Sequence, residues 1–201
     1  MLFQPAKMIP LLLPLVAASP ARLISRGPMI PAPFKLVANV TAYPMATDIN
    51  SWEVVSEDSL DKSCLRSVYL VAPGGGDKWA QWTHDNNGTT YTTVNLDTSG
   101  NGDGEGKTGG IIVTPGGTAT VPSANTVDVN LCSEGTAGVG IVNNTVLGWD
   151  NGWTDGWMAC PVSAVPGAEG DDGDIVLSVK ERGQRTIYGC SNVDLKVVYD
   201  V

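Results

Sequence analysis

The chain has 201 residues, a formal net charge of −9 and a pI near 4.4. Its hydrophobic fraction of 42% excludes a disordered chain and is enough for a sizeable core, in one domain or two small ones. The acidic balance argues against nucleic acid and anionic membrane surfaces as partners, because both select Lys and Arg.

Residues 1–21 have the order of a secretory signal peptide. Lys7 precedes an apolar run from Ile9 to Ala18, and small residues follow it up to a cleavage point after Ala21. The run is too short to cross a bilayer, and no later stretch approaches the necessary length, so no membrane span is expected. Residues 22–33 are predicted to be a leader or short pro-segment, and residues 34–201 a single β-rich secreted domain.

Short strand patterns recur along the mature region, separated by turn residues. Thr126–Cys132 is the clearest, because Val127 and Val129 alternate with polar residues. The only helical hint is the polar stretch 56–63. The spacing predicts an all-β fold, a single antiparallel β-sandwich or barrel of about ten short strands linked by disulfides. In chain order the predicted strands are Phe34–Thr41, Trp52–Val55, Arg66–Ala72, Lys78–Thr83, Thr89–Leu96, Ile111–Val113, Thr126–Cys132, Gly138–Val142, Ile175–Val179 and Val193–Tyr199.

The stretch Gly148–Pro161 repeats a Gly-Trp unit and carries three tryptophans at a spacing of four: Trp149, Trp153 and Trp157. On one strand this spacing would place all three on the same face, as a platform for sugar rings. The intervening Asn151-Gly152 and Asp155-Gly156 argue for turns instead. Core packing and loop closure are therefore the favoured interpretation, and the exposed platform is the alternative.

Four cysteines in a secreted chain favour two disulfides, for which three pairings are possible. Cys64–Cys132 with Cys160–Cys190 is the pairing we predict. Zinc is disfavoured because no CxxC pair is present. The acceptor pattern N-x-S/T predicts surface glycans at Asn39, Asn87 and Asn143.

The glycine-rich loop Asp97–Thr108 has oxygen-bearing residues at the spacing of a calcium loop, with Asp97, Asn101 and Asp103 as candidate ligands. Thr108, however, stands where a bidentate Glu is needed. A polar hairpin loop explains the same residues, and no cofactor is expected.

No catalytic residue is assigned from the sequence. His84, the only histidine, lies in a turn-like stretch, and no G-x-S-x-G nucleophile motif is present. A carboxylate pair for glycoside hydrolysis needs no local motif, so an extracellular hydrolase stays open as a third alternative.

Several short motifs occur in a familiar order: Val68-Tyr69-Leu70, the glycine-rich stretch from Asp97 to Gly104, Ala159-Cys160-Pro161, and Gly189-Cys190 before a last apolar strand. In this order the chain resembles the PhiA-like fungal secreted cell-wall proteins. The resemblance implies a non-enzymatic protein that is extracellular or bound to the cell wall. The alternative is a secreted carbohydrate-binding module or effector that uses exposed tryptophans. The expected partner is cell-wall polysaccharide or a host surface protein.

Overall fold

The computed structural model describes residues 34–56, 64–74, 82–84, 94–97, 108–132, 135–149 and 154–199. They belong to one compact unit, Pro31–Val201. The all-β prediction is confirmed: these ranges contain twelve strands and one 3-10 turn, Val162–Ala164. The strands are β1 (Phe34–Ala42), β2 (Glu53–Ser56), β3 (Leu65–Val71), β4 (Trp82–His84), β5 (Val94–Asp97), β6 (Thr108–Ile112), β7 (Asp128–Asn130), β8 (Val139–Val142), β9 (Val146–Trp149), β10 (Thr154–Pro161), β11 (Ile175–Glu181) and β12 (Ser191–Tyr199).

Six strands close into a barrel in the order β1-β2-β3-β11-β10-β12, and β12 returns to β1. Every pairing in this ring is antiparallel. The long seam between β1 and β12 runs from Phe34 opposite Tyr199 to Ala42 opposite Asn192. Closure of the barrel pairs the first and last strands of the domain, β1 and β12, so neither remains as a free edge.

Two further groups of strands extend this barrel. The run β4-β5-β6-β7 leaves the ring at β1 and rejoins it at β3. The hairpin β8–β9 attaches to β12 through Leu147 opposite Leu195. Its tip contains Asn143 and Asn144, both with positive φ, which short polar side chains tolerate better than most others do.

Alternation along the strands builds the main core. Ile175, Leu177 and Val179 face it from β11, and Val193 and Leu195 face it from β12, as the sequence pattern predicts. A second cluster lies on the other face of the same sheet. It comprises Val55, Tyr69, Met158, Cys160, Val165, Val176 and Cys190, and the segment after β10 covers it through Val162, Ala164 and Ala168.

Both disulfides have the predicted pairing. Cys64–Cys132 joins the start of β3 to the end of β7, where the Leu131 N–H also donates to the Cys64 carbonyl at 2.8 Å. Cys160–Cys190 joins the end of β10 to the residue before β12, inside the second cluster. The two bridges therefore fix different parts of the barrel. In the described ranges no helix is long and apolar enough to cross a membrane.

Two local predictions are wrong, and a third lies mostly outside the described ranges. β6 begins at Thr108 rather than at Ile111, so it includes Gly109 and Gly110. Asp155-Gly156 is not a turn, because the register with β11 shifts between Thr154 and Gly156 and β10 continues as a bulged strand. Of residues 56–63, where the helical hint was placed, Ser56 ends β2 and residues 57–63 lie outside the described ranges.

Candidate functional site

An open groove of about 960 Å³ lies beside the Cys160–Cys190 disulfide. This volume is within the usual range of small-molecule sites. Two chain segments form its walls, one after β1 and one before β12, and the ends of β10 and β11 add to it. The lining residues are Tyr43, Pro44, Met45, Ala46, Thr47, Pro161, Ile175, Lys180, Gln184, Arg185, Thr186, Ile187, Tyr188, Gly189 and Cys190.

Tyr188 is almost completely exposed, at 98% of its surface, on a tight turn in the second wall. The Cys190 N–H donates to the Ile187 carbonyl at 3.0 Å, and Gly189 has φ 85°. A left-handed glycine at the third position is the requirement of a type II turn. Since the turn ends at a disulfide cysteine, the backbone that carries this ring is held at its C-terminal end by the Cys160–Cys190 bridge.

Tyr43 faces the same groove from the first wall and is 65% exposed. Its φ of 56° is left-handed, which is rare for a residue with a large side chain. Pro44 follows it and favours an extended backbone at Tyr43, so the conformation is unfavourable on two counts. The Tyr43 carbonyl accepts a 2.7 Å hydrogen bond from Ser191 Oγ, whose side chain is completely buried. Such strain persists only where neighbouring groups impose it, and it is often found at functional sites.

Asn192, the next residue of β12, connects both walls. Its carbonyl accepts from Thr41 Oγ1 at 3.2 Å, and its side-chain oxygen accepts from Thr186 Oγ1 at 2.7 Å. Further along the second wall, the buried amide of Gln184 donates to the Gly116 and Thr118 carbonyls at 2.9 Å and accepts the Glu181 N–H at 2.8 Å. The first wall is thus tied to the barrel by the Ser191–Tyr43 hydrogen bond and the second by those of Gln184 and Thr186, all of them half-buried.

The charged residues that line the groove are Lys180, which is buried, and Arg185, which is exposed. Among the residues that the structure describes, none of those lining the groove is Asp, Glu or His. Glycoside hydrolysis needs two carboxyl groups beside the scissile bond. These lining residues can stack against a ligand and donate hydrogen bonds, but they do not supply such a pair.

Two aspartates outside the groove have shifted pKa values. Burial raises the pKa of Asp128, and hydrogen bonds from the Ser67 and Thr126 hydroxyls partly oppose this shift. Asp48, just beyond the first wall, accepts the Asn50 backbone N–H at 3.0 Å and its side-chain N–H at 2.8 Å, which lowers its pKa. The Asp48–Asn50 contact closes the loop between β1 and β2.

Core packing, the favoured interpretation of the tryptophans, is confirmed for Trp149 and Trp157, and the alternative of an exposed platform is wrong for these two of its three members. Trp157 is 4% exposed, and its indole N–H donates to the Leu147 carbonyl at 2.9 Å. Trp149 is 9% exposed and donates to the Ala137 carbonyl at 3.2 Å. Trp157 lies on β10 and Trp149 on β9, and both rings are buried in the main core. Trp153 lies outside the described ranges.

The predicted glycan acceptors fall in different settings. Asn143 is exposed at the tip of the β8–β9 hairpin, and Asn39 is half-buried in β1 opposite Asp194. Asn87 is outside the described ranges. Of the candidate calcium ligands, Asp97 ends β5, and Asn101 and Asp103 are also outside those ranges. No three His, Cys, Asp or Glu residues of the described part of the chain are grouped to hold a metal ion.

Sequence reasoning missed both tyrosines. Their common signal is a turn chemistry that is readable only locally: Tyr43-Pro44 and Tyr188-Gly189 each place a tyrosine next to a backbone-restricting residue. The sequence does not show that these two dipeptides lie close together, because they meet only through the position of β12 in the folded barrel.

The fold and the groove define a disulfide-linked β-barrel domain with a fixed, aromatic surface groove. The chain belongs to the family described as Domain of unknown function (DUF7907), which matches residues 31–199. Comparison with curated proteins and with solved structures gave no match.

Proposed function

We propose that the protein is a non-enzymatic, extracellular protein that associates with the cell wall or cell surface by holding polysaccharide in the groove. The observation that carries this proposal is the pair of exposed tyrosines, Tyr43 and Tyr188, on one fixed groove. Aromatic rings provide large, flat contact areas at a low cost in conformational entropy. The tyrosines thus take the role that the alternative interpretation of the sequence gave to the tryptophans.

Other features support an extracellular location. Two disulfides are typical of oxidising compartments, and the predicted signal peptide and glycan acceptors are consistent with them. The resemblance to PhiA-like cell-wall proteins adds support for wall association. A lining without carboxylates supports binding rather than hydrolysis.

The test is sedimentation of the glycosylated, disulfide-intact protein with insoluble chitin, β-glucan and cellulose, with soluble sugar measured over time. Retention on a polymer without sugar release is the expected result. Release of reducing sugar would overturn the non-enzymatic part, and failure to sediment with any polymer would overturn wall association.

Tyr188→Ala should reduce retention strongly, since the ring is exposed and its loss leaves the turn intact. Tyr199→Ala is the control for loss of a tyrosine outside the groove; because the Tyr199 ring packs edge-on against Phe34 at 5.8 Å, the unfolding midpoint of both variants is measured beside retention. Equal losses in the two variants would show that retention does not depend on the groove.

A further inference from the structure

We infer that the groove is a stacking site for an uncharged polysaccharide chain and that Ser191 is the residue that positions Tyr43 in it. This inference rests on the proposed function and specifies its ligand class. It is carried by the charges around the groove and by the hydrogen bond beneath Tyr43.

Charges of both signs border the groove. Arg185 is exposed on the second wall, and its backbone N–H donates to the Thr120 carbonyl at 2.9 Å. The acidic loop 169–174 leads directly into Ile175, which lines the groove. The backbone carbonyl of Asp174 in that loop accepts the Val162 N–H at 3.0 Å, which holds the loop beside the lining residue Pro161.

A charged polymer meets an unfavourable charge in either case. A polyanion approaches the acidic loop and a chain of net charge −9, whereas a polycation contacts the exposed Arg185. Like charges brought together at a binding surface suppress the wrong partners. An uncharged sugar chain avoids both penalties and can use the apolar faces of its rings for contact with Tyr43 and Tyr188.

The side chains of the walls also favour stacking over a dense polar network. The Gln184 amide makes three internal hydrogen bonds, and the Thr186 hydroxyl donates to Asn192. The aromatic rings are therefore the largest lining groups available to a ligand. Binding through such contacts is expected to depend little on salt, because exposed charge pairs are what salt screens.

Ser191 controls where the Tyr43 ring points. Its hydroxyl donates a hydrogen bond to the Tyr43 carbonyl, and the Ser191 side chain is completely buried in β12. Without this bond, Pro44 favours an extended backbone at Tyr43, which would turn the ring away from the groove. Ser191→Ala should therefore weaken binding about as much as Tyr43→Ala, although it removes no ligand contact.

The unfolding stability should respond differently from binding. Loss of the Ser191–Tyr43 hydrogen bond destabilises the fold, while release of the left-handed backbone at Tyr43 stabilises it. The two changes oppose each other, so we expect a small shift in the unfolding midpoint together with a large loss of binding. A general packing defect would lower both together.

The experiment is affinity electrophoresis of the disulfide-intact protein in gels containing soluble β-glucan, polygalacturonate or chitosan, at low and high salt. The variants are Tyr43→Ala, Ser191→Ala, the double variant, and Tyr199→Ala as control. We expect retardation by β-glucan that is insensitive to salt, lost to the same extent in both single variants, and not reduced further in the double variant.

Salt-sensitive retardation by polygalacturonate or chitosan alone would overturn the uncharged ligand class and leave the proposed wall association standing. Additive losses in the double variant, or wild-type binding by Ser191→Ala, would overturn the positioning role. Absence of retardation in every gel, together with absence of sedimentation, would overturn the proposed function itself.

Discussion

The backbone strain at Tyr43 can be measured by comparing Tyr43→Gly with Tyr43→Ala. A left-handed φ, here 56°, costs a residue with a Cβ atom about 1–2 kcal/mol, and glycine does not have this cost. Glycine adds about 0.4–1 kcal/mol of unfolded-chain entropy relative to alanine. The Gly variant should therefore be more stable than the Ala variant by about 0.8 kcal/mol. Both lack the ring, so lost packing cancels in the comparison.

Ala46 provides the matched control in the same wall. It is exposed and its φ is not positive, so Ala46→Gly should destabilise the protein by about 0.4–1 kcal/mol through the entropy term alone. The Gly-minus-Ala difference thus changes sign between the two positions. Urea unfolding at fixed pH with the disulfides intact measures it, and 1 kcal/mol corresponds to about 2–4 °C in Tm for a domain of this size.

If Gly is less stable than Ala at both positions by the same amount, Tyr43 is not strained. The reasoning that gives Ser191 a positioning role then fails, whatever the binding assays show. Both Tyr43 variants should lose polymer binding equally, because ligand contact depends on the ring and not on the backbone. Recovery of binding in Tyr43→Gly alone would contradict the assignment of the ring to the groove.

Four further predictions concern pH, reduction and removal of a disulfide. Burial raises the pKa of Asp128, so the protonated side chain contributes stability below the unfolded pKa. That contribution is lost as pH rises through the folded pKa. Asp128→Asn should therefore gain stability relative to wild type as pH rises. Asp48→Asn should show the opposite trend, because the lowered pKa of Asp48 gives wild type a stability that is lost as pH falls. The measurement is urea unfolding from roughly pH 3 to 7. If the unfolding free energies of a variant and wild type change in parallel with pH, the sign predicted for that variant is contradicted. Under limiting reductant Cys64–Cys132 should open before Cys160–Cys190, because Cys132 is exposed whereas Cys160 and Cys190 are buried, and earlier alkylation of Cys160 in mass spectrometry would refute this order. Replacing Cys64 and Cys132 by Ala, which opens a loop with a sequence separation of 68, should cost about 4 kcal/mol of unfolding free energy.

The strands and the main core could be predicted because their signal is local. Val193 and Leu195 alternate with polar residues along β12, and both face the main core. Along β11, however, alternation describes only half of what is buried. Val176, Ser178 and Lys180 are buried as well, because other segments cover the outer face of that strand. A period of two indicates which residues share a face, but not whether a distant loop covers the other face.

The tryptophan segment shows how one local pattern can mislead. The spacing of eight between Trp149 and Trp157 suits one face of a single strand, yet the chain places them at the end of β9 and inside β10. β12 lies between those strands in the sheet. Both indoles then serve the core through hydrogen bonds to backbone carbonyls. Buried tryptophan is stable only where its N–H finds such an acceptor, and the position of that acceptor depends on the topology.

The groove depends on contacts that are among the longest in the chain. Tyr43 and Ser191 are 148 residues apart, and their hydrogen bond exists only because the barrel closes between β1 and β12. That closure also places Thr41 and Thr186 on opposite sides of Asn192. A non-local seam thus orients two tyrosines that are unremarkable in sequence. The seam and the groove should therefore be lost together: a change that breaks the β1–β12 pairing will separate the two rings, whereas removal of either ring leaves the barrel closed.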